Sequence, residues 1–269
     1  MPANFELIEI NNILLSKNFI ETDPKKKNNN TDEMKFPINK LNYKNFLEKN
    51  INKLSFSEIL DDSIFANNIA DCFQKTNEDI LERDFNISFS GSTVCNVFLL
   101  GNDLFCANVG DSRCVIGRFD KEKRVIVPLQ ISRDHKPDDA DEKARILKNC
   151  GRVDRFKTED NQSYGPARVW LQDEDIPGLA MSRSIGDTVA AKVGVTYMPE
   201  IHKLSLSKND RFIIIASDGL WEFITNQHAV EIVSKYCING DCESAADDLV
   251  KIATKLWEEV IFYLLRMNR

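Results

Sequence analysis

The sequence predicts an α+β layered domain. Three observations carry this expectation: two strand-like runs between residues 90 and 109 joined by Gly101, Asn102 and Asp103, a continuous apolar run at 211–216, and amphipathic helical patterns toward either end.

The elements follow in order. Residues 1–54 read as a largely flexible amino-terminal extension and 55–269 as the folded domain. In the extension Lys25, Lys26, Lys27, Asn28, Asn29 and Asn30 run together, a composition too poor in apolar surface to offset the entropy of ordering, so the lysines read as a solvated tail. Residues 5–15 hold enough apolar side chains to dock on a core, but their period is mixed. From Ile59 onward Ile69, Phe73 and Ile80 recur at helical spacing, which predicts an amphipathic helix. Residues 94–100 and 104–109, rich in β-branched and aromatic residues, form a hairpin. Pro137 with Asp138 and Asp139 is read as opening a helix that Gly151 stops after Cys150.

Residues 152–178 mix charges with Gly165, Pro166 and Pro177 and read as a long surface flap, exposed and locally mobile. The run Phe212, Ile213, Ile214 and Ile215 predicts a strand covered on both faces. Helices are expected at 226–236 and 243–259, the second with Ala246, Leu249, Val250, Ala253 and Trp257 on one stripe.

Composition narrows the function. A formal net charge of -7 opposes binding to nucleic acid phosphates or an anionic membrane, and no apolar run approaches the roughly 20 residues of a membrane span. The first 20 residues interrupt their apolar positions with Glu6, Glu9 and Lys17, unlike a secretory signal, so a cytoplasmic or nuclear monomer is expected. Seven cysteines without a CxxC pair read as reduced, with Cys95, Cys106 and Cys114 packed inside strands.

Candidate chemistry sits at strand ends. Asp218, between Ser217 and Gly219, ends the buried run at 211–216; such a carboxylate suits a hard cation, or else it caps the following helix. Asp111 follows Gly110 directly after the second hairpin strand, as a second oxygen ligand or a satisfied turn, and Arg113 is placed to pair with it or with another carboxylate. His135 lies in the segment RDHKP, either hydrogen-bonded in a structural role or as a general acid. The segment LAMSRSIGD at 179–187 has no role that physics alone assigns.

Taken in order, SGST at 90–93, ANVGDSR at 107–113, RDHKP at 133–137, RVWLQDEDIPGLAMSRSIGD at 168–187, PEI at 199–201 and ASDGLWEF at 216–223 resemble the type 2C metal-dependent protein serine/threonine phosphatases, over about residues 57–259. The resemblance implies two packed β-sheets flanked by helices, an α/β/β/α sandwich, and hydrolysis of phosphoserine and phosphothreonine in protein substrates with two Mg²⁺ or Mn²⁺ ions. Carried over residue by residue, it implies metal roles for Asp218 with Gly219 beside it, and for Asp111 and Glu222 at a weaker additional ion.

The chain departs from the family pattern in two places. It has no DGHGG segment, since Asp218-Gly219 is its only Asp-Gly pair, and it ends in VIFYLLRMNR rather than a DDIT-like strand. The family's first strands and last strand are thus expected to be missing. Three readings follow: an active phosphatase drawing replacement ligands from Asp23, Asp32 or Glu33; an inactive relative that binds phosphoproteins or regulates a partner; or a truncated enzyme. Little or no turnover is expected of the chain as written.

Overall fold

The computed structural model describes residues 6–9, 62–84 and 86–267. The strands are β1 (Glu6–Glu9), β2 (Gly91–Ser92), β3 (Val94–Leu100), β4 (Asp103–Val109), β5 (Arg113–Asp120), β6 (Val125–Gln130), β7 (Gly151–Lys157), β8 (Ser163–Leu171), β9 (Pro177–Leu179), β10 (Ile185–Gly186), β11 (Glu200–Ser205) and β12 (Asp210–Ala216). The helices are α1 (Asp62–Leu81), α2 (Ala140–Lys148), α3 (Thr188–Ala191), α4 (Asp218–Trp221), α5 (Asn226–Ser234) and α6 (Cys242–Met267).

Two sheets form the body. One has the order β1-β12-β5-β6, with β1 parallel to β12; the other has the order β11-β4-β3. Side-chain alternation along a strand sends successive residues to opposite faces, and the core follows that rule. In β12, Ile213 and Ile215 join Cys114, Ile116, Leu104 and Cys106 between the sheets, while Phe212, Ile214 and Ala216 face the helices α5 and α6. In β4, Phe105, Ala107 and Val109 turn outward onto Ile69 and Phe73 of α1. The layers are therefore helix, sheet, sheet, helix, as expected, and the apolar run of β12 reflects burial on both faces.

The hairpin, the double-faced strand and the helix carrying Ile69 and Phe73 stand where the sequence placed them. Residues 55–61 lie outside the described residues, as do all of 1–54 except 6–9, which pair with Phe212, Ile213, Ile214 and Ile215. All seven cysteines are free, and the buried thiols of Cys95 and Cys106 lie 3.9 Å apart. Cys95 is held protonated by its hydrogen bond with Cys106 and by burial.

Several elements differ from expectation. Residues 152–178 are not a loop: β7, β8 and β9 make a three-stranded antiparallel sheet whose Val169 packs with Ile146, Ala190, Val193 and Val195. Register shifts at Asp154/Phe156 and Val169/Trp170 interrupt the alternation, which hid the period in the sequence. The tip at 158–166 is exposed, as read. Helix α2 begins three residues after Pro137, because Asp139 N–H donates to the Lys136 carbonyl at 3.1 Å and residues 136–139 form a turn first. Helix α6 runs past 259 to Met267, taking in most of the terminal VIFYLLRMNR segment. Trp257 stands off the buried stripe, 37% exposed.

Because Ile213 is fully buried between the sheets, Ile213→Ala is expected to cost about 2–5 kcal/mol and Ile213→Val about 0.5–1.5 kcal/mol. Urea unfolding of both variants checks the ratio; equal losses would mean the interlayer space collapses around the cavity.

Candidate active site

Two strand ends build the site. Where β4 ends, Gly110 turns the chain with φ +94, and a side chain there would collide with Thr93. Thr93 Oγ1 and Ser112 Oγ share a hydrogen bond of 2.7 Å, fixing the loop to the SGST segment. Asp111 is thereby buried, 8% exposed, and accepts a hydrogen bond of 2.6 Å from Lys136 Nζ. Where β12 ends, Ser217 occupies the N-cap position of α4, so Asp218 is not the cap but the first helical residue.

The aromatic residues lock this second end. Trp221 Nε1–H donates to the carbonyls of Ala216 and Arg113 at 2.9 and 3.2 Å. Trp257 Nε1–H on α6 donates to the Gly219 carbonyl at 2.9 Å, which engages the backbone oxygen that Gly219 offers.

Electrostatics join the two ends. The Asp218 carboxyl is held above its ordinary range, first by burial and then by the negative charge of Asp111; Lys136 opposes this and Glu222 adds a smaller push upward. Asp111, Lys136 and Glu222 thus each act on the Asp218 carboxyl. Arg113 is elsewhere engaged: its Nε and one terminal nitrogen grip Asp134 at 2.8 and 2.6 Å, the other donates to Asn226 at 2.7 Å, and its guanidinium lies 5.1 Å from the Trp221 ring.

His135 has the structural role of the two considered. It is fully buried; Gly110 N–H donates to its Nδ1 at 3.1 Å, so the ring proton sits on Nε2 and donates to Glu200 Oε2 at 3.2 Å. Burial, then the Arg183 charge, pushes its pKa down to about 4, and the ring is neutral near pH 7. Its backbone carbonyl accepts from Ser182 N–H at 3.0 Å and its N–H donates to the Gly110 carbonyl at 3.0 Å.

Comparison with known proteins decides the family. The model of the family described as Protein phosphatase 2C matches residues 24–263, starting inside the segment read as an extension. The chain belongs to the protein phosphatase 2C family. "Probable protein phosphatase 2C 64" of Oryza sativa subsp. japonica is 43% identical over 63% of the chain and 38% of its own length. "Probable protein phosphatase 2C 73" of Arabidopsis thaliana is 38% identical over 66% of the chain and 45% of its own. The chain therefore spans less than half of these relatives. A serine-threonine phosphatase 2C from Toxoplasma gondii shares the fold with a TM-score of 0.64 at 21% identity, over 77% of the chain and 66% of its own.

Members of the protein phosphatase 2C family are generally metal-dependent. Asp111 and Asp218 offer the oxygen chemistry a hard divalent ion takes. Among the described residues, however, no three His, Cys, Asp or Glu side chains gather as a metal-holding group, so these residues alone do not fit a two-ion centre.

The residues that sequence reasoning missed surround Glu142. This carboxylate, 1% exposed, accepts two bonds of 2.8 Å from Arg145, one of 2.7 Å from Arg183, and one from the Ser182 hydroxyl. Its pKa is held low: burial would raise it, but the hydrogen bonds of Arg145, Arg183 and Ser182 outweigh that. Arg133 grips Asp141 at 2.8 Å and Glu200 at 2.9 Å. The segments RDHKP, LAMSRSIGD and PEI hold most of these partners, which is the role the sequence left unassigned. The signal was there in their repeated arginines and acids.

Removing one partner from this network leaves buried charge behind, so Arg183→Met is expected to destabilise the fold by about 3–5 kcal/mol. The pH dependence has a definite sign. A free histidine titrates near ~6.5 and His135 is depressed in the fold, so its contribution is full above about pH 6.5 and is lost as pH falls toward 4. About 2 kcal/mol should vanish between pH 7 and pH 5. Urea unfolding at both pH values checks this, with His135→Gln expected to flatten the slope.

Proposed function

We propose that the chain acts on phosphoserine and phosphothreonine in protein substrates at the Asp111 and Asp218 strand ends, and that in this form it turns over slowly. The carrying observation is that Arg113 of β5 pairs with Ala216 of β12, so that Asp111 and Asp218 each lie two residues beyond the same end of that strand pair, in a phosphatase family fold. Slow turnover is argued from chemistry. Phosphate-monoester hydrolysis is among the slowest uncatalysed reactions, needing accelerations up to about 10²¹, and two carboxylates are few donors for a centre that generates and aims hydroxide. The sequence has no DGHGG segment to add more.

A second reading, a phosphoprotein-binding or regulatory module without turnover, draws on two contacts. Asp111 is already engaged by Lys136, and both ring nitrogens of His135 are committed, to Gly110 and Glu200, so this histidine has no free proton to give a leaving group.

Manganese titration calorimetry alongside turnover of a phosphothreonine peptide separates the outcomes, with Asp218→Ala as control. The expected result is weak manganese binding and turnover far below that of a family member that carries the DGHGG segment, both reduced further by the substitution. Two tight ions with substantial turnover that Asp218→Ala abolishes would overturn the slow-enzyme reading. Peptide binding with no turnover at all would favour the second.

A further inference from the structure

The connection between α5 and α6 is closed on itself. The Tyr236 carbonyl accepts from Asn239 N–H at 3.1 Å and from Asp241 N–H at 3.4 Å, and Gly240 makes the reversal with φ +63. The longer of these bonds joins the two residues that immediately precede Cys237 and Cys242. The turn therefore holds one cysteine beside each end of its closure.

Both cysteines are half-buried thiols that pack on the same apolar cluster, and both line one cavity of about 360 Å³ with Tyr236, Asn239 and Gly240. The other five each lack one of these conditions. Cys95, Cys106 and Cys114 are sealed between the sheets, whereas Cys72 on α1 and Cys150 after α2 are exposed on separate elements. Cys242 opens α6, where the N–H groups of a helix end favour the thiolate, the form of the side chain that attacks. Ile238, at the tip of the turn, is 92% exposed, so the turn can tighten without repacking the core.

We propose that Cys237 and Cys242 are a peroxide-sensitive pair that closes reversibly to a disulfide in the folded chain. The Cys242 thiolate attacks one oxygen of hydrogen peroxide; the O–O bond breaks, the departing oxygen takes up a proton to leave as water, and Cys242 becomes a sulfenic acid. Cys237 then attacks that sulfur. The S–S bond forms as the S–OH bond breaks, and the hydroxide leaves as water with the proton of the Cys237 thiol. Two thiols lose two electrons and the peroxide gains them; a dithiol reductant reverses the change. The bridge ties the start of α6 to the turn that follows α5, and it does not depend on the phosphatase reading.

Trypsin makes the pair easy to follow, because cuts after Lys235 and Lys251 leave both cysteines on the peptide 236–251 and the other five on other peptides. The full chain is treated with hydrogen peroxide, alkylated with iodoacetamide before and after unfolding, digested and weighed. Peptide 236–251 is expected to be lighter by two hydrogens and unalkylated, and to recover both thiols in dithiothreitol, while Cys95, Cys106 and Cys114 react only after unfolding. Cys237→Ser should leave a sulfenic acid on Cys242 that dimedone traps, with circular dichroism confirming that the variant folds. In urea the oxidised chain should unfold at a higher midpoint than the reduced chain, and Cys237→Ser should abolish that shift. Two alkylatable thiols on peptide 236–251 after oxidation, a bridge to a different cysteine, or a bridge formed only in urea would overturn the proposal. So would the absence of a dimedone adduct on Cys242 in Cys237→Ser, or a midpoint lowered by the bridge, which would show that the native turn does not fit it.

Discussion

The buried carboxylate of Glu142 is the constraint on which the site depends. A charge removed from water is costly by several kcal/mol unless paired and hydrogen-bonded, and its cost falls only when every lone pair is met. Arg145 from its own helix, Arg183 from the SRS segment and the Ser182 hydroxyl meet it here, with Arg133 at 3.5 Å. These partners come from three stretches of chain distant in sequence, so folding cannot leave any one of them loose without stranding a charge. Arg183 reaches Glu200 as well, at 3.8 Å, and Glu200 in turn receives the His135 ring.

From that anchor the order passes outward to the chemistry. His135 accepts from Gly110, which turns the chain into Asp111, and the residue after His135 is Lys136, whose ammonium meets the Asp111 carboxylate. One histidine therefore places both the acid and its counter-charge. Its neutrality matters to the geometry, because a proton on Nδ1 would oppose the Gly110 N–H rather than accept from it. Burial and the Arg183 charge enforce that neutrality.

The fold was legible wherever a single period governed a segment. In β12 every residue from Phe212 to Ala216 is buried, and the apolar run said so; Ile69 and Phe73 marked their helix by spacing alone. The sheet of β7, β8 and β9 was not legible, because its two register shifts break the alternation and its outward positions carry Arg152, Asp154 and Arg155. At the site, Asp111 and Asp218 could be picked out as acids at strand ends beside glycine. Glu142 could not, since an acid in the first turn of a helix looks like a favourable charge at the positive end of the dipole, and only three-dimensional contact shows it buried. Arg113 was half legible: its residue type announced a carboxylate partner, but Asp134 lies 21 positions away.

The division of labour among the acids follows from solvent. Glu142 is buried and bound by guanidinium groups, so it stays ionised and serves structure. Asp111 is buried beside a single ammonium, and Asp218 is close enough to feel its charge, so proton affinity gathers on Asp218. Glu222 is exposed, and its carboxylate has no hydrogen-bond or ion-pair partner among the described residues. Carboxylates of like chemistry thus differ in role: Glu142 is committed to its arginines, Asp111 to Lys136, and Asp218 holds a proton more readily than an ordinary carboxyl. The arginines that hold Glu142 therefore also hold, through Glu200, the ring that positions Asp111, and the charge of Asp111 is what Asp218 feels.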